Sequence, residues 1–263
     1  MKLFPLICFV LISLGTSAQE FKPLTVPYEE IPFQADVFLG YDKFGYLYFT
    51  YNNVLVKQKG LENFEYKNLS LGKITKVDLL NPLKIVLFYE AFNTIITLDN
   101  QLNETQRINF SENPTPIVVA AAGIASQNRL WIFNSLTQEL GLYDYLKHTL
   151  QPLATPFQQP IASYASDFNH FQWVDANYSW YRCDVFGKVR FQGKVGGFDQ
   201  IQFLNDNSFI YSKDQQLYIT DVNSGKQYAI DNIDKSFESF YYKDQILSIF
   251  TKQGITNYKI NIP

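Results

Sequence analysis

Short aromatic and β-branched runs, no sustained helical period and a four-strand unit recurring about every 40 residues predict an all-β fold. The unit points to a six-bladed β-propeller of four-stranded antiparallel blades. The 263-residue chain is 46% hydrophobic, 18% charged and 17% aromatic, with 23 Phe and 18 Tyr. That apolar share suits a packed domain and excludes a disordered one. The aromatic bias favours pleated, half-buried surfaces over helices.

The first residues have the pattern of an export signal. Lys2 supplies the positive start, Leu3 to Leu14 is apolar apart from Pro5 and Ser13, and Thr16-Ser17-Ala18 places small residues before a cut after Ala18. The apolar run is too short to cross a bilayer, which takes about 20 residues. Cys8 lies inside that run, so it does not fit a lipoprotein site. Cleavage leaves 245 residues with 21 basic and 25 acidic side chains, a net charge of −4, and Cys183 as the single cysteine. No internal disulfide is then possible, so the core alone holds the fold. Mild acidity without a Lys/Arg run disfavours nucleic acid and electrostatic docking on anionic lipid.

Residues 19–34 form an extended segment, and residues 35–263 a single propeller domain. Strand signals include Gly45–Tyr51, Lys84–Tyr89, Thr94–Leu98, Asn128–Phe133, Ser208–Tyr211, Gln216–Thr220 and Gln245–Phe250, each bounded by Asn, Asp or Gly. Leu136 to Lys147 is the best helical candidate, but Gly141 and two tyrosines make it read as a strand. Four segments end a strand with Asp and then turn: Asp99, Asp144, Asp184 and Asp221, spaced 45, 40 and 37 apart. Each Asp is expected to accept backbone amides in an Asx-turn. Units begin near Ala35, Ile74, Pro116, Ile161, Phe198 and Ser236. The sixth unit has three clear strands, and Phe21–Glu30 could supply its outer strand, pairing the two chain ends and removing an open edge. Seven blades, or a β-sandwich with chance spacing, are the alternatives. Ile117 to Gly123, rich in small residues, fits an innermost strand near the axis, and Lys84–Tyr89 a middle strand buried on both faces.

The catalytic inventory is sparse. His148 and His170 are the only histidines, and neither has ligands at metal spacing. No nucleophile elbow, phosphate-binding loop, dinucleotide fingerprint or calcium loop occurs. Cys183 falls in a strand and reads as a small buried hydrophobe. The sequence therefore predicts no enzyme, no cofactor and no metal. Sequons at Asn68, Asn103, Asn109 and Asn177 are expected by chance in an Asn-rich chain. Two segments are candidate partner or ligand surfaces. Phe168–Tyr181 contains Trp173, Tyr178, Trp180 and Tyr181, ring types that dominate protein hot spots and sugar platforms, or that pack between blades. Tyr28–Phe33, with Tyr28, Phe33 and flanking prolines, either reaches a partner or simply closes the ring.

Residues 74–103, ITKVDLLNPLKIVLFYEAFNTIITLDNQLN, carry Asn81-Pro82-Leu83-Lys84 running into Phe88-Tyr89, then Phe92-Asn93-Thr94 and Leu98-Asp99-Asn100. With the Ser17-Ala18-Gln19 signal end, this stretch resembles a family of exported propeller-like proteins of Bacteroidota. The resemblance covers about 30 residues well and the remainder in layout only. Some such proteins are associated with the outer-membrane translocon of the type 9 secretion system. The resemblance therefore implies a periplasmic accessory subunit with protein partners, an outer-membrane translocon or lipoprotein, and it transfers no catalytic residues. A looser likeness to quinoprotein propellers is architectural, since no calcium or quinone ligands are present. Three functions follow for comparison: a scaffold in an envelope complex, a carbohydrate or small-ligand binder using the aromatic segment, and a hydrolase or lyase. The last would need carboxylates or His170 at the channel mouth.

Overall fold

The computed structural model of the chain describes Pro23 and residues 25–262. The expected export signal, residues 1–18, lies outside these, as do Phe21, Lys22 and Leu24 of the expected closing segment. Among the described residues, 24 strands form six separate four-stranded antiparallel sheets. The first strand, β1 (Thr25–Pro32), belongs to the last sheet. Blade 1 is β2 (Val37–Tyr41), β3 (Leu47–Tyr51), β4 (Val54–Lys59) and β5 (Glu62–Tyr66). Blade 2 is β6 (Lys76–Asp78), β7 (Ile85–Tyr89), β8 (Thr94–Leu98) and β9 (Glu104–Asn109). Blade 3 is β10 (Val119–Ile124), β11 (Arg129–Asn134), β12 (Glu139–Asp144) and β13 (Thr149–Pro152).

Blade 4 is β14 (Ile161–Ser166), β15 (His170–Asp175), β16 (Ser179–Asp184) and β17 (Val189–Lys194). Blade 5 is β18 (Gln200–Phe203), β19 (Ser208–Lys213), β20 (Gln216–Asp221) and β21 (Lys226–Ile230). Blade 6 is β22 (Ser239–Lys243), β23 (Ile246–Thr251) and β24 (Gly254–Ile260), with β1 outside β24. The sheets surround an axis as a six-bladed propeller, with the first strand of each of blades 1 to 6 innermost. Inner strands start within three residues of the unit starts read from the sequence.

Six hydrophobic clusters explain why the blades stay together. Each lies between two consecutive blades. Val86, Phe88, Leu130 and Tyr143 join blades 2 and 3; Trp131, Leu142, Phe171 and Cys183 join blades 3 and 4; Ile210, Ile219, Leu247 and Ile249 join blades 5 and 6. Middle strands therefore bury both faces: every residue of β7 and β8 is buried, which is why they read as unbroken apolar runs. Cys183 is fully buried in this layer, and burial pushes its thiol up to about 12, so it is a packing residue and not a reactive one.

The ring closes by main-chain pairing of the two chain ends. β1 pairs antiparallel with β24 from Thr25 opposite Ile260 to Pro32 opposite Gly254. Gly254 is required there: its φ is +138°, and a Cβ would meet the Ile31 carbonyl oxygen at 2.2 Å. Phe33 then packs on Phe49 and Phe250, with ring centroids 5.0 and 5.6 Å away, joining blade 1 to blade 6.

Two faces result from this strand order. One, the turn face, carries the turns between first and second and between third and fourth strands of the blades. The other carries the remaining turns and the links between blades.

Candidate functional site

The repeated Asp residues all sit in third-to-fourth-strand turns on the turn face. Asp99 Oδ1 accepts from the Gln101 and Asn103 amides at 2.8 and 2.9 Å, and Asp144 Oδ1 from the Leu146 and Lys147 amides. Asp184 Oδ1 accepts from Phe186 and Lys188, and Asp221 Oδ1 from the Ser224 amide and hydroxyl. These bonds favour the ionised form, so all four carboxyls lie below the ordinary range. The Asn103 side chain is the main cause at Asp99, the Lys147 amide at Asp144 and the Ser224 amide at Asp221. At Asp184 desolvation is the largest single influence and opposes the shift, but the Lys188 and Phe186 amides with the charges of His170 and Arg190 outweigh it. They are turn residues, committed to their own hairpins.

The aromatic segment Phe168–Tyr181 spans β15, β16 and the turn between them, both middle strands, and the structure divides its rings. Trp180 is fully buried, stacked on Phe203 at 5.1 Å, with its indole N–H donating to Gln172 Oε1 at 3.2 Å. Trp173 is 4% exposed, between Phe157 at 4.2 Å and Tyr181 at 5.3 Å. Tyr178, in the turn, is 43% exposed, and Tyr181 is half-buried. Of the N-terminal pair, Tyr28 is exposed beneath Lys259 and Phe33 is half-buried between blades 6 and 1. The six rings thus form no single surface. The physical reason is strand position: a middle strand is covered on both faces by neighbouring blades, whatever ring it carries.

A groove of about 310 Å³ does lie beside blade 4, lined by Phe157, Trp173, Tyr181, Asp175, Ser179 and Lys194. Its polar groups are mutually engaged. Asp175 accepts from the Asn177 and Ser179 amides, and Lys194 Nζ donates to Asn177 O and Ser179 Oγ.

The two most exposed phenylalanines among the described residues lie one hairpin further along. Phe186 at the β16–β17 turn is 90% exposed, and Phe191 and Val189 on β17 are 57% and 42% exposed. β17 is an outermost strand, so its far edge has no strand partner. Other outer strands also place charged residues or proline at such edges, Glu62 and Glu65 on β5, Glu104 and Arg107 on β9, Pro152 on β13 and Lys226 on β21, and β17 adds Arg190 and Lys194 to its exposed rings. The alternation Val189-Arg190-Phe191 after a turn was the available signal.

Each histidine is engaged by a neighbouring side chain. His148 Nδ1 lies 3.4 Å from the Tyr143 hydroxyl. His170 Nδ1 lies 3.2 Å from Asp167 Oδ1 and 2.9 Å from Arg182, which also pairs with Asp206 of blade 5. Among the described residues no three His, Cys, Asp or Glu side chains group to hold a metal ion, and no helix is long and apolar enough to cross a membrane. Two asparagines of the resemblance stretch hold the fold locally. Asn81 accepts from the Leu83 amide in its turn, and Asn93 binds Ile117 O and the Val119 amide, joining blade 2 to blade 3.

No family model and no curated protein matches the chain in sequence. Solved structures match in shape. A member of the duf4221 family from Bacteroides vulgatus aligns with TM-score 0.59 at 10% identity, covering 92% of this chain and 99% of that one. A streptogramin B lyase aligns with TM-score 0.56 at 12% identity, covering 91% and 98%. PorZ, an essential surface component of the type-IX secretion system of Porphyromonas gingivalis, aligns with TM-score 0.51 at 12% identity, covering 90% of this chain and 34% of that one. At such identities the likeness shows the propeller fold.

Two outcomes are expected. Trp180→Ala costs about 3–5 kcal/mol in urea unfolding, whereas Tyr178→Ala costs about 1 kcal/mol or less. The four turn carboxyls have folded values below their unfolded ones. Their stabilisation is therefore complete above the unfolded value of about 4 and is lost as pH falls through the folded value. Midpoints of thermal unfolding measured between neutral and acid pH should fall in that window, and Asp144→Asn should flatten the fall.

Proposed function

We propose that this chain is a non-catalytic scaffold of a Bacteroidota cell envelope, exported to the periplasm and held at the outer membrane through protein partners, with protein secretion of type 9 as its setting. The observation that carries this reading is the outer rim of blade 4. There Phe186, Val189 and Phe191 stand exposed along an open sheet edge, interleaved with Arg190 and followed by Lys194. Such an edge suits a protein partner. An extended segment adds a strand through its main chain, and the two Phe rings supply the apolar anchors. The likeness to PorZ and to a Bacteroides protein supports the setting, and the export pattern at the N-terminus supports the compartment.

The carbohydrate reading has one observation in its favour, the ring column Phe157–Trp173–Tyr181 beside the groove of blade 4. It requires retention on immobilised glycans that Tyr181→Ala abolishes. A hydrolase or lyase would need carboxylates or His170 converging at the channel mouth; His170 is engaged by Asp167 and Arg182, and the carboxylates there, Asp42 and Asp78, accept backbone amides.

The scaffold reading predicts that tagged protein recovered from gently solubilised envelopes brings an outer-membrane translocon or lipoprotein with it. The double variant Phe186→Ser, Phe191→Ser should lose that partner while its melting temperature stays within a few degrees of the parent. Full partner recovery by the variant would exclude the blade 4 rim.

A further inference from the structure

The channel end at the turn face holds a cavity of about 420 Å³, within the range of small-ligand sites. It is formed by inner strands β2, β6, β10, β14 and β22 and the turns that follow them. Three lysines from three blades line it: Lys43, Lys76 and Lys243. So do two carboxylates, Asp42 and Asp78, and the rings of Tyr164 and Tyr241.

Among the described residues neither carboxylate forms an ion pair with a lysine, although Asp78 lies near enough to Lys76 to favour its charge. Asp42 Oδ1 accepts from the Phe44 and Tyr46 amides at 2.8 and 3.0 Å, and its Oδ2 accepts from the Tyr48 hydroxyl. It is a turn residue folded back into its own blade. Asp78 Oδ1 accepts from the Leu80 amide and Oδ2 from the Ile124 amide of blade 3, at 2.9 and 2.8 Å. Among the described residues none of the three ammonium groups is in an ion pair. Lys76 Nζ lies 4.8 Å above the Tyr164 ring, Lys43 Nζ 5.2 Å from the Phe44 ring, and Lys243 Nζ donates to the Tyr41 carbonyl. Crowding by the surrounding blades disfavours charge on Lys76 and pulls its ammonium down, although Asp78 opposes this. An anion entering the cavity relieves that cost. Leu39, Val77, Leu79 and Ala122 give the wall an apolar part beside the tyrosine rings, and Ser166 and Tyr41 add polar groups to it.

The geometry points to a binding site for a small organic carboxylate: the carboxylate meets Lys76 and Lys243, and an apolar or aromatic body lies against Tyr164, Tyr241 and Leu79. Lysine ammonium groups act here as point charges that accept a carboxylate in several orientations, so the body sets the fit. Gly123 keeps the cavity wall thin. A Cβ at this position would meet Ser166 Oγ at 1.9 Å, so β10 can lie close to Ser166 and Asp78 only as glycine. This site is independent of the blade 4 rim and stands whether or not the rim binds a partner.

Calorimetric titration of the full chain tests it with three probes: benzoate, its neutral counterpart benzamide, and inorganic phosphate. Benzoate should bind, more tightly than either control. Lys76→Met and Lys243→Met should each weaken benzoate about tenfold, as loss of a charge-assisted hydrogen bond does. Circular dichroism checks that each variant folds. If Lys76→Met does not fold, Lys243→Met and the benzamide comparison carry the test. Absence of benzoate binding, equal binding of benzamide, tighter binding of phosphate, or benzoate binding unchanged in the folded variants would each overturn the proposal.

Discussion

A blade's innermost strand has a hydrogen-bonded neighbour on one side only, and six such strands face one another around the axis. Their free edges present backbone N–H and C=O groups that no strand can pair. In this chain, side chains from adjacent blades take the place of the missing strand. Gln200 and Gln202, two residues apart on β18, each offer an amide to the free edge of β22. Gln200 bonds the N–H and C=O of Phe240, and Gln202 those of Tyr242 at 2.8 and 2.6 Å. A glutamine amide has one donor side and one acceptor side, as a peptide group does, so the pair imitates a strand. β10 is served from both sides, with Tyr164 Oη accepting from Ala122 and Asp78 accepting from Ile124. The Tyr41 carbonyl of β2 accepts from the Tyr241 hydroxyl and Lys243. The polar character of the channel thus follows first from the needs of the backbone. Lys43 and Lys76 are left over once those needs are met, and the Lys243 ammonium, with one of its three N–H groups on Tyr41, keeps two for a ligand.

The same constraint explains which features were legible in the sequence. Unit length, strand number and Asp-turns depend on residues near one another in the chain, so Asp99, Asp144, Asp184 and Asp221 marked true hairpins. The missing fourth strand of the last unit also followed from counting, and β1 fills it. Ring density was a poorer guide. Trp173 and Trp180 lie on middle strands, where packing between blades consumes both faces, while Phe186 and Phe191 belong to a turn and an outer strand. Position within the unit, more than the number of rings, decides exposure. The channel was not legible, because Gln202 and Tyr242 are 40 residues apart and meet only when two whole blades are in register.

The functional surfaces therefore separate by layer. The middle strands are structural, the outermost strand of blade 4 offers an edge to a protein, and the inner strands enclose a small charged cavity. A propeller with this division needs no catalytic centre to be useful in an envelope complex. Under the proposed reading its rim engages a partner while the axis remains free for a small molecule.

Native-state hydrogen exchange of the Phe240 and Tyr242 amides tests most directly whether side chains close the inner edge. Both amides face away from β23 and have only glutamine side chains as acceptors. If the inner edge is closed as described, both exchange slowly, at rates close to those of the paired strands, and Gln202→Leu releases Tyr242 alone. Exchange as fast as that of an exposed turn amide, in the unaltered chain, would contradict it.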